Sequence, residues 1–187
     1  TPYNVLFLCG GPTATGSYRD IEIIKSNEIK RTADLYDFLV NGNQKDNLSL
    51  REGDVIRIPY YKKRVTLSGN VKREGKFEML DDETFRDLLK YSGGFTDIAY
   101  RGSVTVERIT GTERRMIDLD ADRFDTFKPD GSDTYIVTKL QEEYGNRIVI
   151  SGSVFRPGPY ALIPGLTVKS LVEKAGGFTR DAYTKRI

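Results

Sequence analysis

Residues 65–104, VTLSGNVKREGKFEMLDDETFRDLLKYSGGFTDIAYRGSV, return without a gap 83 positions later as residues 148–187, IVISGSVFRPGPYALIPGLTVKSLVEKAGGFTRDAYTKRI. Thirteen of the 40 pairs are identical, where composition alone gives roughly two or three. The identities fall at positions a backbone would need: Ser68-Gly69 with Ser151-Gly152, Gly75 with Gly158, Leu88 with Leu171, Gly93-Gly94-Phe95-Thr96 with Gly176-Gly177-Phe178-Thr179, and Ala99-Tyr100 with Ala182-Tyr183. Solenoid units run about 20–50 residues, shorter than this period. Each copy is therefore expected to be a small domain with its own core.

A more worn copy opens the chain. The same offset carries Leu6 onto Leu89, Gly10-Gly11 onto Gly93-Gly94 and Thr13 onto Thr96, and Ile21-Glu22-Ile23 onto Val104-Thr105-Val106. Thr1 then corresponds to Thr84 and Ile187 to Val104, so the chain is expected to start and stop inside a unit, as a slice of a longer protein. The expected organisation is a partial first unit at 1–64, a complete second at 65–147 and the first half of a third at 148–187.

Within the complete unit, Val65-Thr66-Leu67 and Phe77-Glu78-Met79 alternate on either side of Gly69 and Gly75, which predicts a hairpin. The same turn in the last copy reads Arg156-Pro157-Gly158-Pro159-Tyr160, whose prolines remove backbone donors and place it at a sheet margin. Asp81-Asp82-Glu83-Thr84 then supplies acids and a hydroxyl ahead of Phe85, Leu88 and Leu89, whose spacing makes one apolar helical stripe. Val168, Leu171 and Val172 repeat that stripe. Gly93 and Gly176 stand where such a helix stops, because a left-handed residue caps the last carbonyls without a Cβ clash. Alternation resumes over Ser103 to Arg108, Met116 to Leu119 and Thr134 to Val137. In the first unit Gly53-Asp54 forms a turn before a closing strand that Pro59 ends. The predicted class is α+β, a small mixed sheet packed on one short helix in each unit.

These residues carry a resemblance. Ser-Gly-x-Val-x-x-x-Gly, an aromatic, a Thr-containing amphipathic helix, then Gly-Gly-Phe-Thr and Ala-Tyr resemble the SLBB family, the soluble-ligand-binding β-grasp domains. Tandem copies with Val154-Phe155-Arg156-Pro157-Gly158-Pro159-Tyr160 further resemble those of bacterial outer-membrane polysaccharide export proteins, especially the long capsule-export type of Bacteroidota. The resemblance implies a periplasmic location, association with the outer membrane through other parts of the protein, and assembly as a ring around an export conduit. It also implies polysaccharide as the partner, with inner-membrane export proteins as further ones.

The chemistry open to the chain is narrow. It holds no histidine, which removes Ser-His-Asp, Cys-His and His-ligated metal sites and the commonest general base. No enzymatic activity, metal or cofactor is expected. Gly69 and Gly75-Lys76 fail as a phosphate loop, because the spacing is wrong and a strand follows in place of a helix. The carboxylates Asp81-Asp82-Glu83 are read as helix-start residues, since the repeat places Pro164-Gly165-Leu166 there. Cys9, alone in the chain, pairs by register with Ser92 and Ala175 and is expected to be a small buried position.

Binding is the remaining class. The chain has 11 tyrosines and no tryptophan. Tyr100 and Tyr183 follow the Gly-Gly-Phe-Thr turn by the same count, and Arg73 and Arg156 occupy the same hairpin position, with Tyr160 beside the latter. Such residues can stack on a sugar ring and pair with a uronic acid or phosphate, so Arg73, Tyr100, Arg156, Tyr160 and Tyr183 are the candidate ligand residues. The alternative structural reading has the tyrosines over the sheet edge and the arginines in water. The leading expectation is a non-catalytic export module; the alternatives are a soluble carbohydrate-binding module, or an anionic-polymer or DNA-binding module using the last copy, which holds six basic residues against two acidic. With a net charge of only +2 overall, nucleic acid is not the expected partner.

Overall fold

The computed structural model describes residues 1–26 and 28–183. Its fold is α+β, as the sequence predicts. The chain divides into two units, Thr1–Leu140 and Gln141–Ile187.

The first unit opens with helix α1 (Pro2–Leu8), then strands β1 (Ile21–Lys25) and β2 (Glu28–Ala33), helix α2 (Leu35–Asn41) and strand β3 (Val55–Arg57). The strands form an antiparallel sheet in the order β2-β1-β3. Tyr3 and Leu6 of α1 bury against Ile21, Ile23 and Ala33 of the sheet, and Tyr3 stacks on Phe38 of α2 at 4.5 Å. Helix α2 lies outside the expectations drawn from the repeat, although its ends are locally encoded. Asp34 caps it, accepting from the Tyr36 N–H at 2.8 Å, and Gly42 ends it at φ 69°. The Gly53 turn and the closing strand before Pro59 form as predicted.

The same unit continues with the hairpin β4 (Arg64–Gly69) and β5 (Gly75–Glu78), helix α3 (Phe85–Tyr91), strands β6 (Ser103–Ile109) and β7 (Arg114–Asp120), and strand β8 (Thr134–Val137). These five strands order β5-β4-β8-β6-β7. The central pair β4-β8 is parallel, joined by a crossover that carries α3. Val65, Leu67 and Phe77 from the hairpin, Val104 and Val106 from β6, and Tyr135 and Val137 from β8 bury against Phe85, Leu88 and Leu89 of the helix. Phe85 is fully buried, its ring 4.8 Å from that of Phe124 and 4.9 Å from that of Tyr135.

The Gln141–Ile187 unit holds the antiparallel hairpin β9 (Arg147–Ile150) and β10 (Gly158–Ala161), followed by helix α4 (Val168–Lys174). Gly158 and Pro159 lie within β10, and a two-stranded sheet leaves each strand at a margin, where proline is tolerated. Leu171 and Ala175 are buried, but Val168, the counterpart of Phe85, is 71% exposed. The described sheet here has two strands where its copy has five. Residues 184–187, including the expected counterpart of Val104, lie outside the described residues.

The three helix stops of the repeat, after α1, α3 and α4, use one device. Gly10-Gly11, Gly93-Gly94 and Gly176-Gly177 all have positive φ. The second glycine of each pair donates to the carbonyl five residues back: Gly11 to Leu6 at 2.7 Å, Gly94 to Leu89 at 2.8 Å and Gly177 to Val172 at 2.9 Å. In the two later copies the hairpin tip then locks onto the following turn, Thr96 donating to the Asn70 carbonyl and Thr179 to that of Ser153, each at 3.0 Å.

Cys9 departs from expectation. Ser92 and Ala175 are buried, but Cys9 is exposed. Ser92 sits just before a glycine pair covered by the hairpin tip, with the Lys72 N–H on the Gly94 carbonyl at 2.9 Å and the Lys72 side chain over Gly93. No described segment lies over Gly10 and Gly11 in this way. The register carries the backbone geometry across copies, while burial depends on what covers it.

Candidate functional site

Of the five sequence-derived candidates, Arg73 and Tyr100 fall at separate turns of the Thr1–Leu140 unit; in the Gln141–Ile187 unit Arg156 and Tyr183 lie outside the strands and Tyr160 lies in β10. Arg73, at the tip of the β4-β5 hairpin, is exposed and lies 5.7 Å from the Phe77 ring centroid. With Tyr36, Leu39, Val40 and Tyr91 it borders a cavity of about 30 Å³, room for one water and too small for a sugar. Tyr100 sits elsewhere in the module. Its N–H donates to the Thr138 carbonyl at 2.9 Å, and its ring lies against Gly102, where a Cβ would meet the phenol oxygen at 2.4 Å. A side chain at 102 would push that ring aside. Tyr100 is 43% exposed and Tyr183 is 74% exposed.

Arg156 and Tyr160 are brought together. The Tyr160 hydroxyl donates to the Arg156 carbonyl at 2.7 Å, which fixes the ring across the turn. The Arg156 guanidinium lies over Gly176. Tyr160 also lines a groove of about 400 Å³ with Tyr144, Asn146, Arg147, Pro159 and Ala161.

A second hollow of about 430 Å³ lies at the turn end of the β6-β7 hairpin, lined by Arg108, Arg114, Arg115 and Met116 among others. Arg108 is committed to the buried Asp133 through two hydrogen bonds of 2.7 Å, which hold its pKa above the ordinary value. Arg115 pairs with Glu113. Two of its three guanidinium groups are thus already neutralised.

A further polar cluster is one that the repeat gives no hint of. Arg19, nearly buried, donates to both Glu83 oxygens at 2.6 Å and to Asp34 at 3.0 and 2.8 Å. Its guanidinium packs over the edge-to-face pair of Tyr36 and Tyr91, at 4.8 and 5.1 Å from their centroids. The Tyr91 hydroxyl donates to Glu83. Alongside, the buried Glu78 accepts from the Ser17 hydroxyl at 2.6 Å and the Tyr18 N–H at 2.8 Å, and its own N–H donates to the Tyr36 hydroxyl at 3.0 Å. Burial works against a charged Arg19, but the hydrogen bonds to Asp34 and Glu83 outweigh it and hold the pKa above its ordinary value. Glu83, read from sequence as a helix-start acid, is thus half of an ion pair that joins the first module to the second. The helix start itself is served by Asp87, which accepts from the Thr84 N–H and hydroxyl at 2.9 and 3.0 Å. Every buried side-chain nitrogen and oxygen among the described residues has a partner, so the cluster is closed on itself.

Several phenols are sealed in the same way. Burial raises the pKa of Tyr36, Tyr91 and Tyr135 above the ordinary phenol value. A hydrogen bond to Glu83 adds to this at Tyr91, and the charge of Asp133 at Tyr135. Because the folded chain holds these protons more tightly than the unfolded chain, their contribution to stability is complete below about pH 10 and is lost as pH rises above it. Loss of secondary structure by circular dichroism at high pH should therefore be accompanied by a rise in phenolate absorbance as these residues ionise. Phenolate absorbance that reaches its full value before unfolding would contradict this.

The sequence signal for the groove at Tyr144 starts upstream of the duplicated stretch. Tyr61 and Arg64 stand 83 residues before Tyr144 and Arg147, and they too line a surface hollow, of about 210 Å³. Extending the register by four residues would have found the pair.

A search of curated proteins finds no match to this chain. A family model for the SLBB domain matches residues 64–119 and 147–187, covering one stretch in each of the two later copies. The SLBB domain is a binding domain that occurs in polysaccharide export proteins. With the family pattern spanning more than half of its residues, this chain belongs to the SLBB domain family.

Proposed function

We propose that the chain is a periplasmic segment of an outer-membrane capsule export protein, built of tandem units at 1–64, 65–147 and 148–187 that pack together and line an export assembly. The observation that carries this reading is the repeated module with its turn residues left outward. Arg73 and Tyr100 are exposed at separate turns of the Thr1–Leu140 unit, and Arg156 and Tyr183 are exposed in the Gln141–Ile187 unit. A conduit for a hydrophilic polymer requires that arrangement. Contacts must be weak and numerous, because a tight site would stall the chain, and aromatic faces with guanidinium groups supply weak contacts to sugar rings and acidic groups. In this reading the modules also pack between subunits to form a ring, and inner-membrane export proteins deliver the polymer.

Deleting the coding region for these residues in the source bacterium should strip acidic polysaccharide from the cell surface and leave polymer in the periplasm, as measured by surface staining and by assay of periplasmic extracts. Unchanged surface polysaccharide would end the reading.

A further inference from the structure

Resting on the export reading, we propose that the groove lined by Tyr144, Asn146, Arg147, Pro159 and Tyr160 is a subsite for one hexuronic acid residue of an acidic polysaccharide. The groove holds about 400 Å³, at the small end of ligand clefts, which run about 300–1,000 Å³. It is open on the surface, as a site that a polymer slides across must be. Tyr144 is 72% exposed, while Tyr160 is pinned through its hydroxyl to the Arg156 carbonyl and Pro159 is rigid by its ring. The walls are thus one adaptable and one preorganised aromatic face, which suits stacking against a pyranose.

The earlier copy shows what a Tyr-x-x-Arg pair does in this fold. The Arg64 guanidinium stacks 3.9 Å from the Tyr61 ring centroid and donates to the carbonyls of Ala14 and Gly16 at 2.6 and 3.1 Å. The aromatic ring backs the cation, and the cation collects oxygen acceptors. Across the hairpin, Arg64 faces Glu78, whereas Arg147 faces Ala161. In the earlier copy Glu78 is taken up by Ser17 and Tyr18, and in the later copy the Arg147 guanidinium stands in a groove with no acidic residue in its lining. A uronate carboxylate fits there as the bidentate partner of Arg147, with sugar hydroxyls on the Asn146 amide, which both donates and accepts.

The test is a ¹H–¹⁵N titration of the 21.1 kDa chain with tetragalacturonic acid, its methyl ester and a neutral cello-oligosaccharide. The acid should shift the amides of Tyr144, Gly145, Asn146 and Arg147 saturably with millimolar affinity. Arg147→Gln should weaken binding about 10-fold, as expected for loss of a charged hydrogen bond, and Tyr144→Ala about 5-fold. The ester, lacking the charge, should bind no better than Arg147→Gln binds the acid. Both side chains are exposed, so the variant spectra report retained folding directly. Equal binding by Arg147→Gln, or by the methyl ester, overturns the proposal. Shifts confined to other surfaces overturn this subsite and leave the export reading standing; no shifts anywhere with acidic or neutral sugar count against both.

Discussion

Replacing Arg19 by alanine is expected to destabilise the Thr1–Leu140 unit by about 3–5 kcal/mol, the usual cost of removing one partner from a buried ion pair. The loss does not come from forfeited attraction alone. Asp34 and Glu83 would remain, with 23% and 11% of their side-chain surface exposed, beside each other and without a cation. The neutral Arg19→Met, Asp34→Asn, Glu83→Gln combination should therefore be more stable than Arg19→Ala alone, although it removes more hydrogen bonds. Urea unfolding at low and high salt measures both effects. The Arg19→Ala deficit should persist at high salt, since buried charges are little screened. By contrast, Lys62→Ala, which removes the exposed pair with Asp20, should stay within about 1 kcal/mol of the parent chain. A small, salt-sensitive effect of Arg19→Ala would show that the cluster is not a structural joint.

What the sequence made legible follows from which interactions are local. The hairpins, the apolar stripe of α3 and the glycine stops are each set within a few residues, so alternation, spacing and turn chemistry expose them, and the duplication confirms them by repeating them. The Arg19 cluster is built the opposite way. Its partners come from residues 15 and 64 positions away. At the next repeat Arg19, Glu78 and Glu83 become Gly102, Ala161 and Leu166. Reading a chain through what recurs hides whatever holds one particular joint together. The same habit accounts for Cys9: position in the repeat carried its backbone role across copies, but burial is a property of the covering segment. Helix α2 differs again: its Asp34 cap and Gly42 stop are encoded locally, but it has no counterpart in the repeat. The candidate site was half legible. The recurrence of Arg73 with Arg156 and Tyr100 with Tyr183 located turns, whereas the Tyr144 groove is made by Tyr144 and Arg147 meeting Pro159 and Tyr160, which shows only once the two strands are seen paired.

The repeat also permits a direct comparison of one residue in two settings. Gly69 and Gly152 are equivalent and both have positive φ, 91° and 97°. A Cβ on Gly69 would lie 2.2 Å from the Val137 carbonyl oxygen, while nothing stands within 4 Å of the same position on Gly152. That carbonyl cannot yield easily. It accepts from the Asn70 N–H at 2.9 Å and the Asn70 amide at 3.2 Å, and it belongs to the central parallel pair of the sheet. Gly69→Ala thus adds a backbone collision of roughly 1–3 kcal/mol to left-handed strain of similar size, for an expected loss of about 3–5 kcal/mol. Gly152→Ala carries the strain alone, about 1–2 kcal/mol. Calorimetric melting of the two variants of this chain should show the Thr1–Leu140 unit melting well below its parent value for the first and unchanged for the second. Equal, small effects would mean that β4 and β8 do not approach as closely as the parallel pairing requires, and the crossover that makes this module a grasp around α3 would fall with them.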